Sequence, residues 1–378
     1  MDALDSASKT SATDHLSREH RVYKLVLTGG PCGGKTTAQE HLHKFFTDRG
    51  WKVFVVPETP TIFINGGVKF AELTQEQNYV FQVNLLRAQV HVESVFMHLA
   101  EALQRDCVVI CDRGTNDIRA YIDDRSWNRM LKHYAVHAMD VRDSRYDQVL
   151  HLTTAADGAD SFYTLSTNTA RTETAKEALL YDTKTRNAWL GHPRLDIVDN
   201  SNTKCFDDKM AKVLRVVADR MNLDVSTEAN MPQKYRSRKW QVEKMDLTRI
   251  PKPFEKFELT LDRLTTASDQ IESVLIKRSQ EQHASVFASK IRRRKDNGDR
   301  IETNQPLTVQ EYACLSALSD PQLPTEQKTR WSFFADDGVY FHLEQRKDDG
   351  MVTIKTFTNR DQITLPDCVG GAIKEFDV

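Results

Sequence analysis

VYKLVLTGGPCGGKTTAQEHLHKFFTDRG, residues 22–50, decides the fold of the first half of the chain. Val22 to Leu27 is a short apolar run ending at Gly29 and Gly30, the pattern of a buried parallel strand leaving a sheet. Thr36 to Arg49 then carries Ala38, Leu42, Phe45 and Phe46 at helical spacing, and Gly50 ends the helix. Between them, Gly29-Gly30-Pro31-Cys32-Gly33-Gly34-Lys35-Thr36 matches G-x-x-x-x-G-K-[ST] in the strand–loop–helix context the motif requires. The glycines let backbone N–H groups turn inward around a phosphate, and the helix N-terminus adds partial positive charge. Lys35 reaches the β and γ oxygens, and the Thr36 hydroxyl can ligate Mg²⁺. A phosphorylated nucleotide is the expected ligand.

Outward from this core, Lys52 to Val56, Cys107 to Cys111, Gln148 to Leu152 and Leu195 to Val198 read as further strands. Gln75 to Gln104 and Phe206 to Met221 read as helices between and after them. Residues 21–225 are therefore expected to form an α/β P-loop nucleoside triphosphatase domain with a doubly wound parallel sheet. Asp112 ends the CVVICD strand beside the P-loop, where a carboxylate holds Mg²⁺ or a substrate hydroxyl; a helix cap is the bland alternative. Arg113 can stabilise transferring phosphoryl charge or form a salt bridge. Glu58, two residues past VFVV, sits at the same sheet edge and can orient an acceptor or an attacking water. The polar stretch leading into TARTETAKEALLYDTKTR offers Arg171 and Arg186 as lid arginines over the phosphates. No N-K-x-D run follows a strand, so the residues leave GTP versus ATP open.

A length of 378 residues implies about two domains. Hydrophobic residues at 39%, with 17 Phe, 10 Tyr and 5 Trp, are enough to build cores and exclude a wholly disordered chain. Lys plus Arg (52) nearly cancel Asp plus Glu (54), so a general nucleic-acid coat is excluded and any polyanion site must be local. The six cysteines form no C-x-x-C pair, which fits a reducing compartment better than a zinc ribbon or a disulfide framework. Residues 1–20 are polar with no apolar h-region, and Asp2 stands where N-myristoylation requires glycine; a mobile cytoplasmic tail is expected. No apolar run approaches the roughly 20 residues of a membrane span.

Residues 226–252 (including NMPQKYRSRKWQVEK) lack clear periodicity and read as a linker. Residues 253–378 alternate in β fashion through FEKFELTLDRL, SVLIKR, SVFASKIRRR, TRWSFFADDGVYFHLEQR and MVTIKTF, with Asp336-Asp337-Gly338 as a hairpin turn and one helix around Val309 to Leu318. Because strand side chains alternate, Lys290, Arg292 and Arg294 share a face, Lys277 and Arg330 are expected to add to it, and His342 and Arg346 share a face of another strand. Such converging cations suit a phosphate-rich ligand; a solvated face balanced by Glu344 is the alternative. The arginine run 292–294 has no aromatic ladder beside it, which disfavours nucleic acid.

LTGGPCGGKTT, VPET, ICDRG, TARTETAKEA and GHPRLDIVDNS, in that order, resemble the TRPL translocation defect protein family, whose P-loop domain is akin to nicotinamide riboside kinase and more distantly thymidylate kinase. IKRSQ, KIRRR, TRWSFF, YFHLEQ and LPDCVGGAIKEFDV extend the resemblance over nearly the whole chain after the tail. It implies an AAA-type ATPase-like fold that binds GTP, and a β-rich α+β domain resembling the CYTH or triphosphate tunnel fold. It further implies binding of anionic phospholipids such as phosphatidic acid or phosphoinositide in membrane-protein trafficking, hence a cytoplasmic protein with peripheral membrane contact. Carried over by motif, Gly29, Gly30, Pro31, Cys32, Gly33, Gly34, Lys35, Thr36 and Thr37 hold phosphates, Asp112 serves the metal with Thr36, and Arg171 is the lid arginine.

A catalytic triphosphate tunnel opens with E-x-E-x-K, whereas the first strand expected here offers Glu258, Thr260 and Asp262, so metal-dependent hydrolysis in the second half is disfavoured. The leading reading is a regulatory P-loop protein binding GTP or ATP with Mg²⁺, with slow turnover at most, joined to a phospholipid-binding domain. The alternative is a nucleoside-type kinase in which Asp112 or Glu58 acts as base.

Overall fold

The computed structural model describes residues 20–158, 174–228, 230–266, 268, 270–280, 285–294 and 300–377. Arg171 and nearly all of the N-terminal tail lie outside the described residues.

The first unit follows the expected alternation closely. It runs β1 (Val22–Thr28), α1 (Lys35–Asp48), β2 (Lys52–Val56), α2 (Thr59–Asn65), α3 (Gln75–Ala102), β3 (Cys107–Asp112), α4 (Asp124–Tyr134) and α5 (Ala138–Arg142). β4 (Gln148–Leu152), α6 (Ala175–Ala188), β5 (Leu195–Val198) and α7 (Phe206–Met221) complete it. The five strands form one parallel sheet ordered β2-β3-β1-β4-β5. Alternation along β1 divides the core between two layers: Tyr23, Leu25 and Leu27 pack with Phe45 and Phe46 of α1 and Val213 and Val217 of α7, while Val26 packs with Val109, Cys111 and Trp189. Capping boxes at Thr74/Gln77 and Thr174/Glu177 start α3 and α6, each joining a side-chain acceptor to an otherwise orphaned N–H.

The second unit is a nine-stranded antiparallel sheet. Its strands are β6 (Arg236–Met245), β7 (Phe254–Arg263), β8 (Ile271–Ser279), β9 (Val286–Arg294), β10 (Arg300–Leu307), β11 (Glu326–Phe334), β12 (Tyr340–Arg346), β13 (Val352–Thr358) and β14 (Val369–Asp377), with α8 (Val309–Ser316) after β10. The order is β10-β9-β8-β7-β11-β12-β13-β6-β14. β6 corrects the linker reading: ten residues of the stretch 226–252 form an interior strand hydrogen-bonded to β13 on one side and β14 on the other. Its pattern was obscured because Lys239 and Gln241 occupy one face while Trp240 and Val242 supply the core on the other.

The two units share a buried contact. Phe257 and Leu259 of β7 pack on Met139 of α5, and Phe334 and Tyr340 join the layer around Trp189. Tyr340 Oη accepts from Gly191 N at 3.0 Å, and Arg278 Nη1 donates to Asp143 Oδ2 at 2.8 Å. Phe257 lies under two guanidinium groups, 3.6 Å from Arg278 and 5.3 Å from Arg142. These contacts bury one end of the central strands β7, β8, β11 and β12 against α5 and the loop entering β5.

Candidate functional site

The P-loop leaves β1 at the centre of the parallel sheet, where a ligand at the strands' carboxyl ends is flanked by β3 on one side and β4 on the other. Gly29 (φ 131°) and Gly34 (φ 89°) adopt backbone conformations that side chains rarely take, and a Cβ on Gly29 would lie 2.2 Å from Leu152 O. The loop therefore sits directly on β4. Cys32, also left-handed (φ 57°), is held there by Ala155 N donating to its carbonyl at 3.2 Å. Lys35 Nζ donates to Gly29 O at 3.0 Å and Gly30 O at 2.9 Å, which places the ammonium over the cradle. Desolvation and the nearby Arg113 charge pull Lys35 down to about 8, against the opposing pull of Asp112 and Glu58.

On the β3 side, Arg113 Nε donates to Glu58 Oε1 at 2.5 Å. Burial works against the Glu58 carboxylate, but Arg113 holds it below its ordinary range. Arg113 has φ 68° and reaches toward Gly29 O (3.4 Å), so the pair spans from α2 across β3 to the P-loop. Asp112 Oδ1 is buried without a hydrogen-bond partner, and burial together with Glu58 raises its pKa. An orphaned carboxylate oxygen beside Lys35 is the donor a divalent cation satisfies, so Asp112 and Thr36 fit Mg²⁺. Among the described residues no group of three or more His, Cys, Asp or Glu forms a metal cage, so such an ion would complete its shell with phosphate oxygens and water. Asp112 is not a helix cap: Gly114 N is satisfied by Asp117 Oδ2 at 2.7 Å.

On the β4 side the structure adds residues that were not singled out from sequence. Asp182 of α6 accepts from Gly30 N (3.0 Å) and Thr154 N (2.9 Å), and its second oxygen pairs with His151 Nε2 (3.1 Å). Burial opposes its ionisation, but His151 and the two backbone donors hold its pKa at about 2. The available signal was an acid on the buried stripe Ala178, Asp182, Thr185. Arg186 does not face the cradle; its guanidinium lies 4.7 Å over Phe334 of β11.

The cations of the second sheet largely converge. Cα partners across β8, β9 and β10 put Lys290, Arg292 and Arg294 on the face shared with Glu272 and Glu302. Register through β7, β11, β12 and β13 places Arg330, His342, Glu344, Arg346, Lys355 and Lys239 on that same face. Arg292 influences Lys239 and Lys290 influences Lys355, although those strands stand far apart in the sheet order, so the sheet curls around this face. Lys277 is a correction: it pairs in register with Thr260 and Phe287 and so points to the opposite face. Glu258, Thr260 and Asp262 lie on that opposite face too, and the strand that opens the sheet is β6, whose inward positions include Ser237, Lys239 and Gln241.

Most of the converging cations are paired. Glu344 Oε1 lies 2.6 Å from Arg330 and 2.7 Å from Lys355; Lys290 meets Glu302 at 2.7 Å; Arg292 bridges Glu272 and Glu302; Arg346 holds Asp348 and Asp349. Burial and the Arg330 charge pull Lys355 to about 7 despite Glu344, and burial pushes His342 well below its ordinary value. Cations nonetheless outnumber carboxylates on this face.

Residues 24–203 match the AAA domain family. Similar solved structures include a thymidylate kinase from Ehrlichia chaffeensis, at 15% identity over 52% of this chain and 98% of that one, with a TM-score of 0.34. An inorganic triphosphatase covers 38% of this chain and 87% of its own at 18% identity and TM-score 0.27. A protein from Pyrococcus horikoshii OT3 covers 34% and 80% at 14% identity and TM-score 0.26. No curated protein matches the chain. The first half of the chain is therefore similar to AAA-type P-loop domains. No helix among the described residues is long and apolar enough to cross a membrane.

Proposed function

We propose that the chain binds a nucleoside triphosphate with Mg²⁺ at the P-loop and a second, phosphate-bearing ligand on the curled cationic face. The observation that carries the reading is the cradle itself: Lys35 held over Gly29 and Gly30, with the partnerless Asp112 oxygen beside it. Backbone donors and Lys35 would fix the phosphates, Thr36 and Asp112 would hold the metal, and Arg113 would offset charge on the terminal phosphoryl. Mg²⁺ would neutralise the phosphate charge that gathers there.

The resemblance to TRPL translocation defect proteins favours GTP as the nucleotide, and a CYTH-like second domain that takes anionic phospholipid headgroups. The single-sided array of Lys290, Arg292, Arg294, Arg330 and Arg346 supports an anionic ligand there. Titrating GTP, ATP and their diphosphates with and without Mg²⁺ tests the first site; affinity independent of the triphosphate and of Mg²⁺ would refute it.

A second reading, transfer of the γ-phosphoryl to a nucleoside-like acceptor, draws on Asp112 and Glu58 standing together at the sheet edge. In that reaction the base takes the acceptor hydroxyl proton as its oxygen attacks phosphorus and the diphosphate leaves. Product formation from a nucleoside panel with labelled GTP or ATP would favour this reading over a regulatory role.

A further inference from the structure

Three of the six cysteines are inert by placement. Cys107, Cys111 and Cys368 are buried, and burial pushes each thiol up, Cys368 to about 11. Cys314 is exposed on α8, away from the cradle. The remaining two border the same pocket. Half-buried Cys32 of the P-loop and exposed Cys205, at the start of α7, line one small pocket with Asn200, Phe206 and Lys209.

Their segments are in direct contact. A Cβ on Gly34 would lie 2.8 Å from the Phe206 ring, so the residue after Cys205 packs on the P-loop two positions beyond Cys32. The loop holds the Cys32 backbone in place, while Cys205 stands at the exposed start of α7, so rotation of the Cys205 side chain toward Cys32 is what disulfide geometry requires.

We propose that Cys32 and Cys205 form a thiol–disulfide exchange site whose closure bars nucleotide from the P-loop; this rests on the nucleotide-binding reading above. The co-reactant is a low-molecular-weight disulfide of the glutathione class. Cys32 loses its proton to water and its sulfur attacks the disulfide; the S–S bond breaks, a Cys32–glutathione disulfide forms and one glutathione leaves, taking up a proton. Cys205 then attacks the Cys32 sulfur and expels the second glutathione. Two protein thiols are oxidised as one glutathione disulfide is reduced to two thiols. The crosslink would pin the cradle to α7, and a reductant would reverse it.

The test uses the full chain, glutathione disulfide and fluorescent GTP and ATP analogues with Mg²⁺. The expected results are a Cys32–Cys205 crosslink by peptide mass mapping, at least a tenfold loss of nucleotide affinity, and recovery with dithiothreitol. Saturating nucleotide should slow modification of Cys32 but not of Cys314. Cys205→Ser should stop at the mixed disulfide on Cys32, and Cys314→Ser should behave as the parent chain. An adduct on Cys32 that never proceeds to the crosslink, or a crosslinked chain with unchanged affinity, overturns the proposal. Failure of the untreated chain to bind either nucleotide would instead refute the P-loop reading.

Discussion

The Asp182 carboxylate accepts from the Gly30 backbone N–H at 3.0 Å, tying α6 directly to the phosphate cradle across 152 residues of sequence. The same helix places Arg186 over Phe334, and three residues past it Gly191 meets Tyr340. One helix thus touches the P-loop through Asp182 and, one turn further on, the second sheet through Arg186.

Replacing Asp182 by alanine leaves the Gly30 and Thr154 N–H groups and His151 without their acceptor. Losing these bonds should cost about 3 kcal/mol of stability and weaken triphosphate binding roughly tenfold through a loosened loop. Asp182→Asn, which keeps one acceptor oxygen, should lose less. Calorimetric melting and nucleotide titration of both variants check this, and an unchanged affinity in Asp182→Ala would separate α6 from the cradle.

Lys35→Ala removes the ammonium held over Gly29 and Gly30. Triphosphate affinity should fall at least a hundredfold while the circular dichroism spectrum is unchanged. Retained affinity would refute the phosphate assignment.

Arg330 and Lys277 lie on opposite faces of the second sheet. Binding to vesicles containing phosphatidic acid should weaken several-fold in Arg330→Ala and be unaffected in Lys277→Ala. Equal effects would mean that the curled face is not the ligand site. Glu344 is at risk in the first variant, but Lys355 at 2.7 Å still partners it.

His192 gives the join between the units a pH dependence. Its Nδ1 accepts from Arg194 N at 3.1 Å and its Nε2 faces Tyr146 O, an arrangement only the neutral ring satisfies. Burial, with help from Arg278 and Arg142, lowers its pKa to about 4 although Asp143 pulls the other way. Below its ordinary 6.5 the unfolded chain takes up a proton the folded one refuses. Stability from this group is therefore complete above pH 6.5 and is lost progressively toward pH 4, about 3 kcal/mol in total. Denaturant unfolding at pH 7 and 4.5 should show a smaller difference for His192→Asn; an identical difference would assign the acid sensitivity elsewhere.

Closing the Cys32–Cys205 pair should also raise the unfolding midpoint, because a crosslink between residues so distant in sequence restricts the unfolded chain. Thermal melting before and after oxidation reads this out, and a lowered midpoint would indicate that the bridge distorts the native loop.

The P-loop, the five parallel strands and the flanking helices were legible because each is specified locally: an apolar run, a glycine turn, a 3.6-residue stripe. Asp112, Glu58 and Lys35 were legible too, since the carboxyl ends of neighbouring parallel strands must meet at the loop after β1. Asp182 was not: the buried stripe Ala178, Asp182, Thr185 marks an acid, but its partners, the Gly30 and Thr154 N–H groups and His151, come together only in the folded chain. β6 was missed because charge on one face masked the alternation.

By itself, then, the sequence determined the nucleotide-binding unit, a β-rich second half and the turn at Asp336-Asp337-Gly338. Only the tertiary structure decided which way the second sheet's cations point. Alternation places Lys290, Arg292 and Arg294 on one face, but whether Lys277 joins them depends on the pairing register between β7, β8 and β9. A shift of one residue would reverse every side chain on the strand. Register goes with the packing of Phe257 and Leu259 on Met139 of the first unit, and that is information no single strand contains.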